Sequence, residues 1–169
     1  PGAFQGNNVN FGVTAAQALE DGKIDGFWAN GMGAEVAVTR GAGTMVIDAR
    51  RGDGPSTAFN FTMPALITSQ KMIDDEPDAC AAAVRALVKT QKALREDVSL
   101  ATEVGEKRFP ETEAGLIAQV VERDLPFYTA AITEDFVVGM NKFQKDVGLV
   151  TGDFKYEQVV ATQFMSEWE

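Results

Sequence analysis

The sequence predicts an α/β fold whose second half is largely helical. Glycine is concentrated near the start, where residues 1–54 hold 11 of the 16 glycines, and glycine permits tight turns and close backbone approach. Apolar runs in that region alternate between strand-like and helix-like patterns, an order typical of a parallel sheet with crossover helices. From about residue 70 glycine is sparse and helix-forming residues dominate. The first third is therefore predicted to hold the sheet.

Five elements are predicted to follow one another in this first third. Thr14 is the predicted N-cap of the first helix and Gly22 its end, and Gly41 is predicted to close the second helix. The β-branched and aromatic runs before and between them are typical of strands. The predicted strands are residues 9–13, 24–29 and 44–49, and the predicted helices are residues 14–20 and 31–38.

An extended segment and a series of helices are predicted to follow. Residues 50–55 read as a loop because of their glycine and proline content. Residues 58–69 read as one extended segment, bent or confined to a sheet edge at Pro64. Pro77 suits the first position of a long helix. The predicted caps of later helices are Asp97, Thr112 and Thr133, and Gly148 is a predicted stop.

The predicted helices carry more apolar surface than a short sheet can cover. The first of them places an apolar stripe on one face, formed by Cys80, Val84, Leu87, Val88, Gln91 and Leu94. A parallel sheet requires cover on both faces, yet here few strands would serve many helices. Two interpretations follow: an α/β half joined to a helical bundle, or helices that cover a second sheet lying outside this chain.

Composition excludes several kinds of chemistry. The chain has no histidine and a single cysteine, Cys80, which excludes a Ser-His-Asp triad, an imidazole acid or base, and a zinc site built from histidine or several cysteines. Cys80 lies on the apolar stripe of its helix and is interpreted as a core residue. No metal and no cofactor are predicted.

Charge and hydropathy narrow the range of partners. The net charge of −10 disfavours binding to a nucleic-acid backbone. The longest uncharged stretch, residues 55–70, is too short and too polar to span a bilayer. No charged-then-apolar leader is visible at the start of the sequence. A small-molecule partner is expected, with no nucleic acid and no membrane insertion.

The stretch from Phe27 to Gly33 is the most informative for function. It lies where a predicted strand ends and a predicted helix begins, which is where ligands bind in open α/β sheets. Trp28 offers a flat apolar wall, Asn30 a donor and an acceptor, and Gly31 opens a helix N-terminus. The alternative interpretation is a buried strand-end tryptophan followed by a turn. The two glycines do not continue into a dinucleotide fingerprint.

The other candidate residues each have a structural interpretation as well as a functional one. Acidic pairs such as Asp74/Asp75 lie at predicted helix starts and favour the helix dipole. Arg50 and Arg51 with Asp53 could form an anion site or a solvated turn, and Arg123 could pair locally or with a partner. Three further candidates are Thr62 and Met63, which would line a cleft if their extended segment joins two lobes, and a carboxylate pair of Glu35 with Asp48.

Residues 18–28, ALEDGKIDGFW, resemble the pattern A-L-x-x-G-x-I-D-A-x-W of periplasmic solute-binding proteins of the nitrate/sulfonate/taurine and thiamine-precursor group. Weaker matches continue in the same order along nearly the whole chain. They are Thr68-Ser69, Glu76-Pro77-Asp78, Arg85-Ala86-Leu87, Phe109-Pro110, Ile132-Thr133 and Gly148-Leu149. The chain departs from the pattern at residues 30–32, where relatives often have a proline and an aromatic residue.

The resemblance implies part of a type 2 periplasmic binding fold, which has two α/β lobes, two crossovers and a ligand between the lobes. Residues 1–56 would belong to the second lobe, residues 57–69 to the return crossover, and residues 70–169 to C-terminal helices that pack toward the first lobe. Ligand contacts are implied for Trp28, Asn30, Gly31, Met32, Thr62 and Met63.

The function implied is that of the periplasmic substrate-binding component of an ABC importer, with a permease as partner and a small anionic or planar organic ligand. No residue is predicted to be catalytic. The missing N-terminal half or another chain would cover the apolar helical face. The alternatives are a ligand-sensing input domain of a receptor, and a small hydrolase or lyase that uses Glu35 and Asp48.

Overall fold

The computed structural model describes residues 11–29, 31–54, 65–109 and 111–169. Helices are the regular elements of this part of the chain, joined by turns and irregular segments. The α-helices are α1 (Phe11–Glu20), α2 (Gly31–Thr39), α3 (Gln70–Asp75), α4 (Pro77–Glu96), α5 (Leu100–Arg108), α6 (Glu111–Asp124), α7 (Glu134–Asp146) and α8 (Tyr156–Val159). Short 3₁₀ turns span Ala49–Arg51, Leu125–Phe127 and Thr162–Glu167.

Two compact units divide the chain. The first unit comprises Pro1–Val46 with Ala93–Pro126, and the second comprises Ile47–Lys92 with Phe127–Glu169. Within the first unit α2 packs against α1 and α6, and α5 packs against α6. Within the second unit α7 packs against α8.

The core of the first unit is small and built from short side chains. Its buried cluster comprises Ala16 on α1, Val36 and Ala37 on α2, and Leu116 on α6. Partly buried side chains extend this cluster, namely Val13, Leu19, Phe27 and Met32. Small residues allow helix axes to approach closely, so the packing of α2 depends on backbone proximity more than on large apolar side chains.

Glycine makes the closest helix approach possible. A Cβ atom on Gly33 would lie 2.5 Å from the Cα atom of Gly12, so α1 and α2 meet almost backbone to backbone. A Cβ atom on Gly105 would lie 3.3 Å from the Cα atom of Ala114, where α5 meets α6. No other residue fits at Gly33 without displacing a helix.

Several predicted helix ends are confirmed. α4 begins at Pro77, and Thr133 caps α7 by accepting a hydrogen bond from the backbone N–H of Phe136. Gly22, Gly41 and Gly148 follow helices with positive φ angles of 67°, 69° and 75°, which only glycine adopts without steric cost. Cys80 is buried as predicted, with 8% of its surface exposed.

Other predicted boundaries are wrong by a few residues. α1 begins at Phe11, so Thr14 lies inside the helix instead of capping it. α6 begins at Glu111, so Thr112 is likewise internal. Leu87, predicted on the buried stripe of α4, is 45% exposed. Local sequence places such ends only approximately, because the packing of neighbouring helices decides where the first turn is stabilised.

The predicted α/β class, and with it the type 2 periplasmic binding fold, is contradicted. No strand occurs in residues 11–29, 31–54, 65–109 or 111–169. Of the predicted strands, residues 11–13 are helical, residues 24–29 and 44–48 are irregular, and residue 49 begins a 3₁₀ turn. The backbone of residues 44–47 makes no hydrogen bond to another described residue. A strand requires a paired neighbour, so β-branched composition alone did not produce one. Residues 11–13 of the predicted first strand belong to helix α1. Residues 9–10 lie outside the described residues, as does most of the segment 58–69.

Candidate functional site

The segment between α1 and α2 holds the predicted ligand-contacting tryptophan. Gly22 ends α1, and its backbone N–H bonds to the carbonyl of Leu19 at 3.0 Å. Phe27 packs against the core of the first unit, whereas the neighbouring Trp28 is 77% exposed. Adjacent side chains in an extended segment point to opposite sides, so anchoring Phe27 inward directs the indole outward.

The helix that follows contributes two of the other predicted residues. Gly31 is the first residue of α2, whose first turn carries no acidic side chain. The backbone N–H groups of a helix's first turn have no intrahelical partner, and the helix dipole is positive there. Met32 packs against the core cluster, so part of its side chain stabilises the unit. Asn30, Thr62 and Met63 lie outside the described residues.

An ion pair fixes α2 on α6. Glu35, 7% exposed, accepts a hydrogen bond from the Arg123 guanidinium, 88 residues further along the chain. Arg123 also lies 4.0 Å from the Asp124 carboxylate. The sequence suggested a local partner for Arg123, and the structure adds the long-range one. No sequence signal marks this pair, because the two residues meet only once α2 crosses α6.

The carboxylates proposed for catalysis have cationic partners of their own. Glu35 pairs with Arg123 in the first unit. Asp48 belongs to the second unit, where its carboxylate lies 3.3 Å from the guanidinium of Arg51. The backbone N–H of Asp48 also donates to the Asp53 carboxylate at 2.9 Å. These contacts close residues 48–53 as a turn around the buried Asp48 carboxylate.

The shifted pKa values have local causes. Hydrogen bonds from Lys23 and Gln17 lower the pKa of Asp21 at the end of α1. The hydroxyl and the backbone N–H of Ser99 lower the pKa of Asp97. Burial, with the nearby charges of Glu134 and Glu157, raises the pKa of Tyr156. The Asp21 carboxylate lies in the turn after α1. The Asp97 carboxylate lies in the turn before α5, whose N-cap is Ser99 and not the predicted Asp97. Tyr156, by contrast, lines a groove along α7.

The part of the chain that the structure describes offers no group of three or more Asp, Glu, Cys or His side chains placed to hold a metal ion. None of its helices is long and apolar enough to cross a membrane. Comparisons with protein-family models, with curated proteins and with solved structures found no match to this chain.

The groove of the second unit was not predicted from the sequence. It lies between one face of α7 and the segment 153–157. Asn141 lies on that face and is buried at 8% exposure. The sequence signal that could have indicated the groove is the position of Asn141, one helical turn after the apolar pair Val137 and Val138. An amide buried on that face requires partners for its donor and its acceptor.

Proposed function

We propose that the chain is part of the substrate-binding component of an ABC importer, located in the periplasm, and that it binds a small organic ligand without altering it. The exposed indole of Trp28 carries this proposal. An indole that is 77% exposed leaves a large apolar face in water. Its position at the end of the ALEDGKIDGFW motif is also the one at which the resembling binding proteins contact ligand.

The surroundings of Trp28 favour a planar or anionic ligand. The indole face suits stacking against an aromatic ring, and its N–H adds one donor for a negative group. α2 begins three residues later, and its first turn carries no acid that would offset the positive end of the helix dipole. A ligand with a flat body and a negative group fits both features.

Tryptophan fluorescence tests this proposal, because the chain contains only two tryptophans. The probes are benzoate, which is planar and anionic, methanesulfonate, which is anionic only, and pyrimidine, which is planar only. We expect a saturable change with benzoate that Trp28→Phe abolishes. The matched control is Trp168→Phe, which removes the other, half-buried indole and should leave the change intact.

Recovery of the probe separates binding from catalysis. Mass spectrometry should return benzoate unchanged after prolonged incubation with the full chain. Turnover of any probe that Glu35→Gln abolishes would instead support the carboxylate enzyme. A benzoate response equal in Trp28→Phe and the wild type would contradict the assignment of Trp28.

We further propose that another polypeptide covers apolar surface of this chain, as a partner in the binding protein or at the permease. Large apolar side chains are exposed in both units. The most exposed are Val46 at 89%, Ile67 at 86%, Trp28 at 77%, Leu149 at 71% and Val138 at 65%. Single exposed apolar residues are ordinary, but Met45 and Val46 are consecutive exposed residues of the first unit, and burial of their apolar surface would stabilise the chain.

A further inference from the structure

A groove in the second unit runs along α7. Its volume is about 640 Å³, within the range of small-molecule sites. One wall is the face of α7 from Glu134 to Lys145, and the other is the segment 153–157. The segment runs back along the helix, because Asp153 contacts Lys145 while Tyr156 contacts Ile132.

Hydrogen bonds hold the two walls together. The Asn141 amide donates to the Phe154 carbonyl at 2.8 Å, and the Phe154 N–H donates to the Asn141 amide oxygen at 3.0 Å. The Tyr156 hydroxyl donates to the carbonyl of Ile132. The groove is therefore formed in the free chain, and the tyrosine oxygen keeps its lone pairs as acceptors.

The groove has an apolar floor that remains accessible. Val137 is buried, while Val138 is 65% and Phe154 is 45% exposed. These three side chains line the groove between its charged ends. An alkyl or aryl group placed on them would remove apolar surface from water.

The charges of the groove are distributed unevenly. At the end nearer the C-terminus of α7, Lys142 is paired with Asp146 at 2.6 Å and Lys145 with Asp153 at 2.6 Å. At the other end Glu134 and Glu157 lie near Tyr156, and their charges add to burial in raising the pKa of its phenol. The groove's third lysine, Lys155, leaves a net charge of −1 when it is counted with Glu134 and Glu157. The tyrosine end is therefore negative.

We propose that this groove binds a primary alkylammonium group, with the ammonium beside Glu134, Glu157 and the Tyr156 oxygen and the alkyl chain on Val138 and Phe154. An ammonium has three N–H donors, and three acceptor groups line this end of the groove: the carboxylates of Glu134 and Glu157 and the hydroxyl of Tyr156. The site lies in the second unit, whereas Trp28 lies in the first, so this inference does not rest on the proposed function.

Calorimetric titration of the full chain with hexylammonium chloride tests the site. Hexanol has the same chain without charge, and hexanoate has the opposite charge. We expect saturable one-to-one binding of hexylammonium that is at least tenfold tighter than that of either analogue. Hexanol or hexanoate binding as tightly as hexylammonium would overturn the proposal.

Charge-matched variants locate the site. The double variant Glu134→Gln with Glu157→Gln should bind hexylammonium at least tenfold more weakly than the wild type. The control, Glu103→Gln with Glu106→Gln, makes the same change in net charge on α5 and should alter the affinity less than twofold. Equal weakening by the two pairs would mean that only the overall negative charge attracts the cation.

Glu134→Gln also removes an acidic residue from the first turn of α7, which could change the helix itself. A variant that changes no charge therefore tests the site separately. Val138→Ser leaves all charges in place but removes apolar surface from the floor of the groove. It should therefore weaken the binding of hexylammonium severalfold. The binding of methylammonium should be unaffected, because this cation has no alkyl chain to place on the floor. Circular dichroism of each variant checks that α7 is retained. No effect of Val138→Ser on hexylammonium would contradict the proposed position of the alkyl chain.

Discussion

Gly33 and Gly12 meet where α2 crosses α1, and this contact tolerates no side chain. A Cβ atom on Gly33 would lie 2.5 Å from backbone carbon. Backbone cannot rotate aside as a flexible side chain can, so the two helices would have to separate. Separation would open the cluster of Ala16, Val36 and Ala37 and shift the helix start beside Trp28.

We therefore expect Gly33→Ala to lower the free energy of unfolding by about 1–3 kcal/mol. The matched control is Gly115→Ala on α6, where an added Cβ atom meets nothing within 4 Å. Because alanine is the better helix former, this control should stabilise the chain by about 0.5–1 kcal/mol. Urea denaturation measures both changes, and equal effects would contradict the close helix contact.

The Glu35–Arg123 pair is expected to stabilise the first unit only as a pair. Arg123→Met leaves the Glu35 carboxylate buried without its cation, and we expect a loss of about 3 kcal/mol. Adding Glu35→Met should recover most of that loss, since two apolar side chains of similar length leave no buried charge. Thermal denaturation of the single and the double variant measures this recovery. A double variant that is less stable than Arg123→Met would contradict the expected recovery.

Asp97 provides a pH-dependent test at a single residue. Hydrogen bonds from Ser99 hold its pKa below the usual 3.8. The carboxylate therefore contributes stability above pH 3.8 that is lost as the pH falls through the lowered pKa. We expect Ser99→Ala to raise the pKa of Asp97 toward 3.8, because the hydroxyl bond is the larger cause. NMR titration of the carboxyl carbon measures the shift, and an unchanged pKa would contradict the hydroxyl's role.

At the scale of elements, α7 and the segment 153–157 are joined through one side chain. The Asn141 amide bonds both the N–H and the carbonyl of Phe154, as a neighbouring strand would. Asn141 is buried, so each of these groups would otherwise lack a partner in the protein. The register of the returning segment on α7 depends on this amide.

We expect Asn141→Asp to lower the free energy of unfolding by about 2 kcal/mol, because a carboxylate cannot donate to the Phe154 carbonyl. The matched control is Gln163→Glu in the same unit, which makes the same change in charge at an exposed position and should change stability by less than about 0.5 kcal/mol. Guanidinium denaturation distinguishes them, and equal effects would mean that charge alone is responsible.

Helix ends were more predictable than strands. Pro77, Thr133 and Gly148 act within a single turn of backbone, so their effect can be derived from the adjacent residues. The predicted strand at residues 44–49 depends on a neighbour to accept and donate hydrogen bonds, which a composition of β-branched residues does not provide. The helical half was therefore predicted with small errors, and the predicted sheet was wrong.

At the scale of the whole molecule, exposed apolar residues should govern solution behaviour. We expect the sedimentation coefficient of the full chain to rise with protein concentration, because Val46 and Ile67 are almost fully exposed. Val46→Thr with Ile67→Thr keeps the branched shape, reduces apolar surface and should reduce that rise. A wild-type chain that stays monodisperse across the concentration range would contradict the need for a covering partner.

The sequence by itself determined the chemistry that is excluded and most of the helical pattern. The absence of histidine, the single cysteine and the net charge of −10 are properties of composition, and caps and glycine stops act locally. Only the tertiary structure decided that Phe27 lies inward and Trp28 outward, that Glu35 meets Arg123, and that Asn141 holds the wall of a groove. Each of these depends on residues distant in sequence becoming neighbours, and a sequence pattern records periodicity but not which surfaces meet.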